Sequence, residues 1–422
     1  MKDGIKTLFL TRQIPYPPMG GAALRNWQNI NIAAQLGTVA VFSVPGSYSS
    51  VSQENFPHIS LWQNCPVTTA PSARSLRQKV GWWLEPSCHP LVDDCYRDEI
   101  SQELKSFLQK FQPDLIIFEE LWLYLYLPTI KEITSCPIVL DQHNIEANLL
   151  TQTQPPSNTL GDRLRKTIQN RKLRFIEQDF VRKADQVWVC SQEDADLLKE
   201  MYDSQLHVRI VPNGIEQSFY APVYADPHSL LPALDPNPHT LFFAGTFSYP
   251  PNQTAAHILI DQILPKLQQH YANARLLLVG KSPTADMLEA SHRNKNVIVT
   301  GRVDDIRPYM AAASVAVVPL LQGGGTRLKV LEAFAARMPV VTTSKGIEGI
   351  EARDNYHVLI RDPVDDIVEA IDSLWSNQDM SAALTEAAIS LLQQKFSREV
   401  IGKKVEDHVN DLICIPGKSP IE

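Results

Sequence analysis

The chain lacks most of the features that assign a function cheaply. No stretch approaches the ~20 consecutive apolar residues of a membrane-spanning helix. Residues 1–6 are charged and the apolar run after them is short, without the h-region and cleavage site of a signal peptide. A cytoplasmic protein is therefore expected, at most peripheral on the inner face of the cell membrane. The six cysteines, Cys65, Cys88, Cys95, Cys136, Cys190 and Cys414, are scattered and show no Cys-x-x-Cys spacing. That disfavours a disulfide framework or zinc site and points to a reducing compartment. Positive charge is not in excess: the formal net charge is −8, which argues against nucleic acid as a partner. A full G-x-G-x-x-G pattern with an acidic residue about 20 positions on is missing, so a dinucleotide cofactor is disfavoured. There is no internal repeat and no low-complexity tract.

What is present describes a soluble α/β protein. Hydrophobic residues make up 44% and charged residues 20%, as in globular chains. At 422 residues the chain is too long for one ordinary core, so two domains are expected. Short apolar runs alternate with helical patterns in both halves, which predicts two doubly wound parallel sheets. Strands are expected at 5–10, 39–44, 115–118, 137–142, 186–190 and 208–211, then at 241–244, 275–279, 297–301, 315–320, 340–343 and 358–360. Pro222, Pro227, Pro232, Pro236 and Pro238 crowd one stretch. The expected division is a first domain at 1–220, a Pro-rich linker at 221–239, a second domain at 240–395 and a last helix with tail at 396–422. Residues 45–90 read as long loops with short elements, where binding specificity can reside. Trp82 and Trp83 in that stretch form part of a binding platform, make a membrane contact or pack beneath the loops.

The most informative stretch is 319–341. Gly323, Gly324 and Gly325 stand between a buried strand and a helical pattern carrying Leu328, Leu331 and Ala335 on one face. Thr326 is the expected N-cap. Arg327 and Lys329 bring two cations to a helix start, where the dipole already favours anions. The combination predicts a phosphate site.

Gly-Gly-Gly-Thr-Arg-Leu-Lys-Val-Leu-Glu-Ala resembles the nucleotide-sugar site of family 4 retaining glycosyltransferases, whose fold is GT-B. The resemblance covers most of the chain and is strongest over 240–362. It implies two Rossmann-like domains facing across a cleft, with the nucleotide sugar on the second. Glu332 matches the second Glu of the family's Glu, seven residues, Glu pattern and is expected to hold the ribose hydroxyls. The first Glu falls on Gly324, a replacement shared by a branch with the same glycine loop. The family's diphosphate loop matches Gly245 and Thr246, but the Arg and Lys common soon after it are missing from Tyr-Pro-Pro-Asn252. Arg327 and Lys329 are expected to supply that charge and to act catalytically by neutralising the leaving diphosphate. The turn at Arg302 and Val303 is expected at the base, Leu328 beside the nucleotide, and Glu348 either at the donor or capping its own loop.

In the first half, Gly20 and Gly21 match the family's Pro-rich glycine loop near the donor phosphates. His143 matches its histidine near the donor sugar and is the third expected catalytic residue. On the acceptor side Arg25, Glu119, Glu120 and Asn144 are candidates, with Glu146 weaker. Arg25 reads equally as a surface charge, and the two glutamates equally as a solvated turn. The basic helix at 163–183, with Leu164, Ile168, Leu173 and Ile176 on its apolar side, either lies on an anionic membrane or packs one face on the core.

The resemblance implies a retaining transfer from a nucleoside diphosphate sugar to a glycan or lipid-linked acceptor, in cell-envelope or extracellular polysaccharide biosynthesis. No Asp-x-Asp stands at a convincing strand end, so no essential metal and no cofactor beyond the co-substrate are expected. The alternatives are a nucleotide-sugar epimerase and a catalytically idle binding or scaffold protein on the same fold.

Overall fold

Runs of Val, Ile, Leu and Phe with no polar alternation suit strands covered on both faces, and parallel sheets are made of such strands. In the computed structural model, which describes residues 4–16, 18, 20–46, 58–67, 84–154, 159–230 and 237–413, these runs form two all-parallel sheets. The first contains β1 (Ile5–Thr11), β2 (Gly37–Ser43), β3 (Leu61–Asn64), β4 (Leu115–Glu119), β5 (Ile138–Asp141), β6 (Gln186–Val189) and β7 (Val208–Ile210), in the order β3-β2-β1-β4-β5-β6-β7. The second contains β8 (Thr240–Ala244), β9 (Arg275–Val279), β10 (Val297–Val299), β11 (Val315–Val318), β12 (Val340–Thr342) and β13 (Leu359–Ile360), in the order β10-β9-β8-β11-β12-β13. β3 falls in the stretch expected to be irregular. Its residues are only half-buried, and it pairs on one edge with β2 alone.

Each sheet has its own core. In the first unit Leu8, Leu10, Phe42, Ile116 and Phe118 pack with Leu104 and Phe107 of helix Asp98–Phe111 and with Ile176 and Phe180 of helix Leu160–Lys183. The rings of Phe118 and Phe180 meet edge to face, 5.0 Å between centroids, a favoured aromatic geometry. In the second unit Leu241, Phe243, Leu277 and Val317 pack with Leu331 and Phe334. Cys190 is buried as a small core residue, whereas Cys136 is half-buried.

The unit boundary falls before the expected linker. One unit comprises residues 1–212 with 402–422, the other 213–401. Residues 217–225 form a helix, Gln217–Ala225, in which Pro222 is tolerated, and buried Tyr220 and Val223 join the second core. Pro222 thus stands in a docked helix. The last helix, Arg398–Ile413, starts in the second unit and finishes in the first. There Gln186 donates to the carbonyl of His408 at 3.2 Å, and Arg209 pairs with Asp411 at 3.4 Å. Trp82, Trp83 and Cys414 lie outside the described residues.

Candidate functional site

In an open α/β sheet, ligands bind beyond the carboxyl ends of the strands where the strand order reverses. In the second unit that place is between β8 and β11. Gly245 and Thr246 follow β8, and Gly280 after β9 comes so close that a Cβ on it would collide with the Gly245 carbonyl. The glycine loop follows β11. Gly323 has φ of 118° and Gly325 φ of 70°, values that favour glycine.

Helix Leu328–Ala335 begins after this loop, and its N-cap is Arg327, not Thr326. The Arg327 side chain does not cap the helix. It folds back, donating to the carbonyls of Gly324 and of Lys345, the latter at 3.3 Å, and pairs with Glu348 at 3.6 Å. Arg327 thus ties the glycine loop to the 345–348 turn, and Glu348 also pairs with Lys345 at 2.6 Å. Lys329 takes a different course. Its amine donates to Asn252 Oδ1 at 2.7 Å and lies 4.2 Å from the Phe243 ring centroid. Burial, with Arg327 nearby, pushes this amine down to about 7. Glu332, one turn on, accepts from the Tyr220 hydroxyl at 3.0 Å, and burial raises its carboxyl. Arg302 is exposed after Gly301, whose φ is 67°, while Val303 and Leu328 are partly buried against the core.

The equivalent place in the first unit is between β1 and β4. Gly20, at φ of 99°, stands at the N-cap of helix Gly21–Leu36, which buries Arg25 and Asn29. Neither expected reading of Arg25 holds: it is 1% exposed, neither a surface charge nor open to an acceptor. Its Nε donates to Asp141 Oδ2 at 2.8 Å and its Nη1 to the Val211 carbonyl at 2.7 Å. Asn29 donates to the same Asp141 oxygen at 2.8 Å. Asp141 and Glu119 are the last residues of adjacent strands and stand side by side in register.

His143 joins this pair. Its Nε2 is 3.1 Å from Glu119 and 3.7 Å from Asp141, and its Nδ1 is 3.4 Å from Glu120. Burial disfavours the imidazolium, but the carboxylates of Asp141, Glu119 and Glu120 around it outweigh that and hold the ring charged well above the usual histidine range. Glu119, fully buried beside Asp141, is pushed up to about 7. Asp141 is held low: burial works the other way, but Arg25 and His143 prevail. Glu119, Asp141 and His143 present ligand atoms within 4.8 Å of one another, a set able to hold a metal ion. In the arrangement seen, Arg25 and the charged His143 pair with the two carboxylates instead. Glu120 adopts φ of 80° and ψ of 153°, backbone normally left to glycine. Asn144 donates to Glu146 at 3.4 Å, and burial with Glu120 and Glu177 nearby pushes Glu146 up to about 8.

The structure thus gathers Glu119, Glu120, His143 and Asn144 in one unit, and the residues around 245, 302 and 323–332 in the other. Asn252, Tyr220, Asn29 and Asp141 were not singled out from the sequence. For Asn252 the signal was present: an amide stands where a cation was sought after Gly245.

Residues 67–219 match the sequence family described as Glycosyltransferase Family 4, and residues 238–377 the one described as Glycosyl transferases group 1. No curated protein matches the sequence. Among solved structures, sucrose-phosphate synthase from Thermosynechococcus elongatus is similar, with a TM-score of 0.72 at 16% identity, over 96% of this chain and 99% of that one. HepE from Anabaena, solved in complex with UDP, gives 0.66 at 14% over 96% and 100%. TarM from S. aureus, in a mutant complex that includes UDP, gives 0.67 at 10% over 97% and 100%. At such identities the likeness concerns the fold, which is GT-B. No described helix is long and apolar enough to cross a membrane.

Proposed function

We propose that this chain, a glycosyltransferase of the GT-B fold, moves a sugar with retained configuration from a nucleoside diphosphate sugar to a glycan or lipid-linked acceptor, without an essential metal. The observation that carries the reading is the convergence of Gly245, the glycine loop and Lys329 at the reversal point of the second sheet. UDP in the HepE and TarM structures favours a uracil nucleotide among the donors to try first.

The bond from the anomeric carbon to the phosphate oxygen breaks as the diphosphate leaves, the acceptor hydroxyl's oxygen bonds on the same face, and its proton passes to the departing diphosphate oxygen. The developing negative charge meets backbone N–H groups of 323–326 and the ammonium of Lys329. Arg327 keeps the loop in shape and adds its field. Glu332, oriented by Tyr220, receives the ribose hydroxyls on its other oxygen, and the turn at Arg302 and Val303 meets the base. In the first unit His143 is the third catalytic residue, a fixed cation because carboxylates flank both of its ring nitrogens. Glu120 and Asn144 address the acceptor. We place the reaction in polysaccharide assembly on the cytoplasmic side, with the basic 163–183 helix touching the membrane.

Thermal shifts with UDP, GDP and ADP, with and without magnesium, test the donor reading. A ligand at 100 times its dissociation constant adds about 2.7 kcal/mol. One nucleotide should stabilise the protein regardless of magnesium, and Arg327→Ala/Lys329→Ala should abolish the shift while leaving the protein folded. Retained binding in that variant would sink the role given to these cations. If none of the three shifts the wild type, the idle scaffold becomes the better reading.

A further inference from the structure

Lys329 is held by a residue that belongs to another helix. Asn252 lies near the start of helix Pro250–Ile258 and is 7% exposed. Its amide is committed at both ends: Nδ2 donates to the Thr246 carbonyl at 2.9 Å, and Oδ1 accepts from Lys329 Nζ at 2.7 Å. The amide cannot be turned over, since that would point two donors at an ammonium and an oxygen at a carbonyl. Gly245 leaves room for it: a Cβ there would stand 2.8 Å from Asn252 Nδ2. One side chain therefore joins the Gly245 turn, its own helix and the helix that carries Lys329.

We propose that Asn252 is the positioning residue for Lys329, fixing the ammonium beside the Gly245 and Thr246 turn so that a donor diphosphate meets it there. The proposal rests on the donor-site reading above. Asparagine suits the position because it is neutral and offers one donor and one acceptor. Aspartate would accept from Lys329 but set a carboxylate against the Thr246 carbonyl. Alanine would leave that carbonyl with the Tyr249 N–H alone and would take from the amine over the Phe243 ring its hydrogen bond to Oδ1. The charged groups acting on Lys329 are Arg327, which disfavours its proton, and Glu332, which favours it. Glu332 is itself held by Tyr220. A lysine so placed is easily discharged, and an arriving diphosphate would restore its proton.

The test reads the amine directly. Lysine labelled with carbon-13 is incorporated, the Lys329 signal is identified by its loss in Lys329→Arg, and its titration is followed in wild type, Asn252→Asp and Asn252→Ala. The midpoint should rise by at least a pH unit in Asn252→Asp and fall in Asn252→Ala, shifts that a merely structural asparagine would not produce. Equal midpoints in all three would overturn the proposal. A second arm measures UDP, GDP and ADP binding by calorimetry across pH. The exchange variant Asn252→Lys/Lys329→Asn should recover at least a tenfold share of the affinity lost in Lys329→Ala, because the two side chains meet at one point. Failure of that rescue, with the variant folded, overturns the shared placement. If the midpoints move but wild type binds none of the three nucleotides, the donor-site reading fails, and the diphosphate role of Asn252 with it.

Discussion

Glu120 shows how one residue can be worse for the fold and better for the site. A side chain at φ of 80° and ψ of 153° costs of order 1–3 kcal/mol. The surroundings enforce it: its N–H donates to the Asp141 carbonyl at 3.0 Å, and its carboxylate faces His143. Glu120→Gly should therefore raise the urea midpoint while lowering sugar transfer, and Glu120→Gln should lower transfer with no such gain. A glycine variant that is less stable than wild type would remove the argument from strain. The sequence pointed to Glu120 as an acid at a strand end, but strain is a backbone property that residue type does not announce. Glu332 was legible because its spacing from the glycines is local. Arg25 was not, since its fate depends on Asp141, 116 positions away. The pairing of Lys329 with Asn252 spans 77 positions and was hidden for the same reason.

At the scale of elements, the alternation of apolar runs and helical patterns was enough to find twelve of the strands, because a strand buried on both faces must be apolar throughout. Helix Leu160–Lys183 was legible as an element but not as two halves with different surroundings. Its second half enters the core with Leu173, Ile176 and Phe180. There Glu177 serves helix Glu146–Thr153, whose N-cap Ile145 offers no side-chain bond. The Glu177 carboxylate accepts from the N–H groups of Glu146 at 2.7 Å and Ala147 at 3.2 Å, a negative charge at a helix start. The first half leaves Leu160 82% and Leu164 63% exposed beside exposed Arg163 and Arg165. Apolar groups between cations suit an anionic lipid surface. Leu160→Ser/Leu164→Ser should weaken co-sedimentation with vesicles containing phosphatidylserine and leave nucleotide-induced stabilisation intact. Equal sedimentation of wild type and variant would return the helix to an ordinary solvated surface.

At the scale of the whole molecule, the two units should respond differently to pH. The first unit buries acids whose carboxyls are raised: Glu119 to about 7 and Glu146 to about 8, with Glu177 also upward, in each case mainly by burial. A raised acid holds its proton longer in the folded state, so stability falls as pH climbs from the unfolded value through the folded one. His143, held charged above its ordinary range, acts in the same direction: its contribution is complete below that range and is lost as pH rises through the raised value. Asp141 has the opposite sign, but its contribution is lost only in strong acid. In the second unit the shifts of Lys329 and Glu332 oppose each other. Lys329, pushed down to about 7, makes stability rise with pH above that point, while the raised Glu332 makes it fall. Tryptophan separates the two units, because among the described residues Trp27, Trp62, Trp122 and Trp188 belong to the first and only Trp375 to the second. The urea midpoint read by tryptophan fluorescence should drop between pH 6 and pH 8.5, a window named from the raised acids and histidine. Glu146→Gln should flatten that drop, because it removes a charge that the folded unit resists. A midpoint that stays level in wild type, or a slope unchanged in the variant, would mean that solvent or a counter-charge reaches these carboxylates and that the first unit does not store proton affinity at its strand ends.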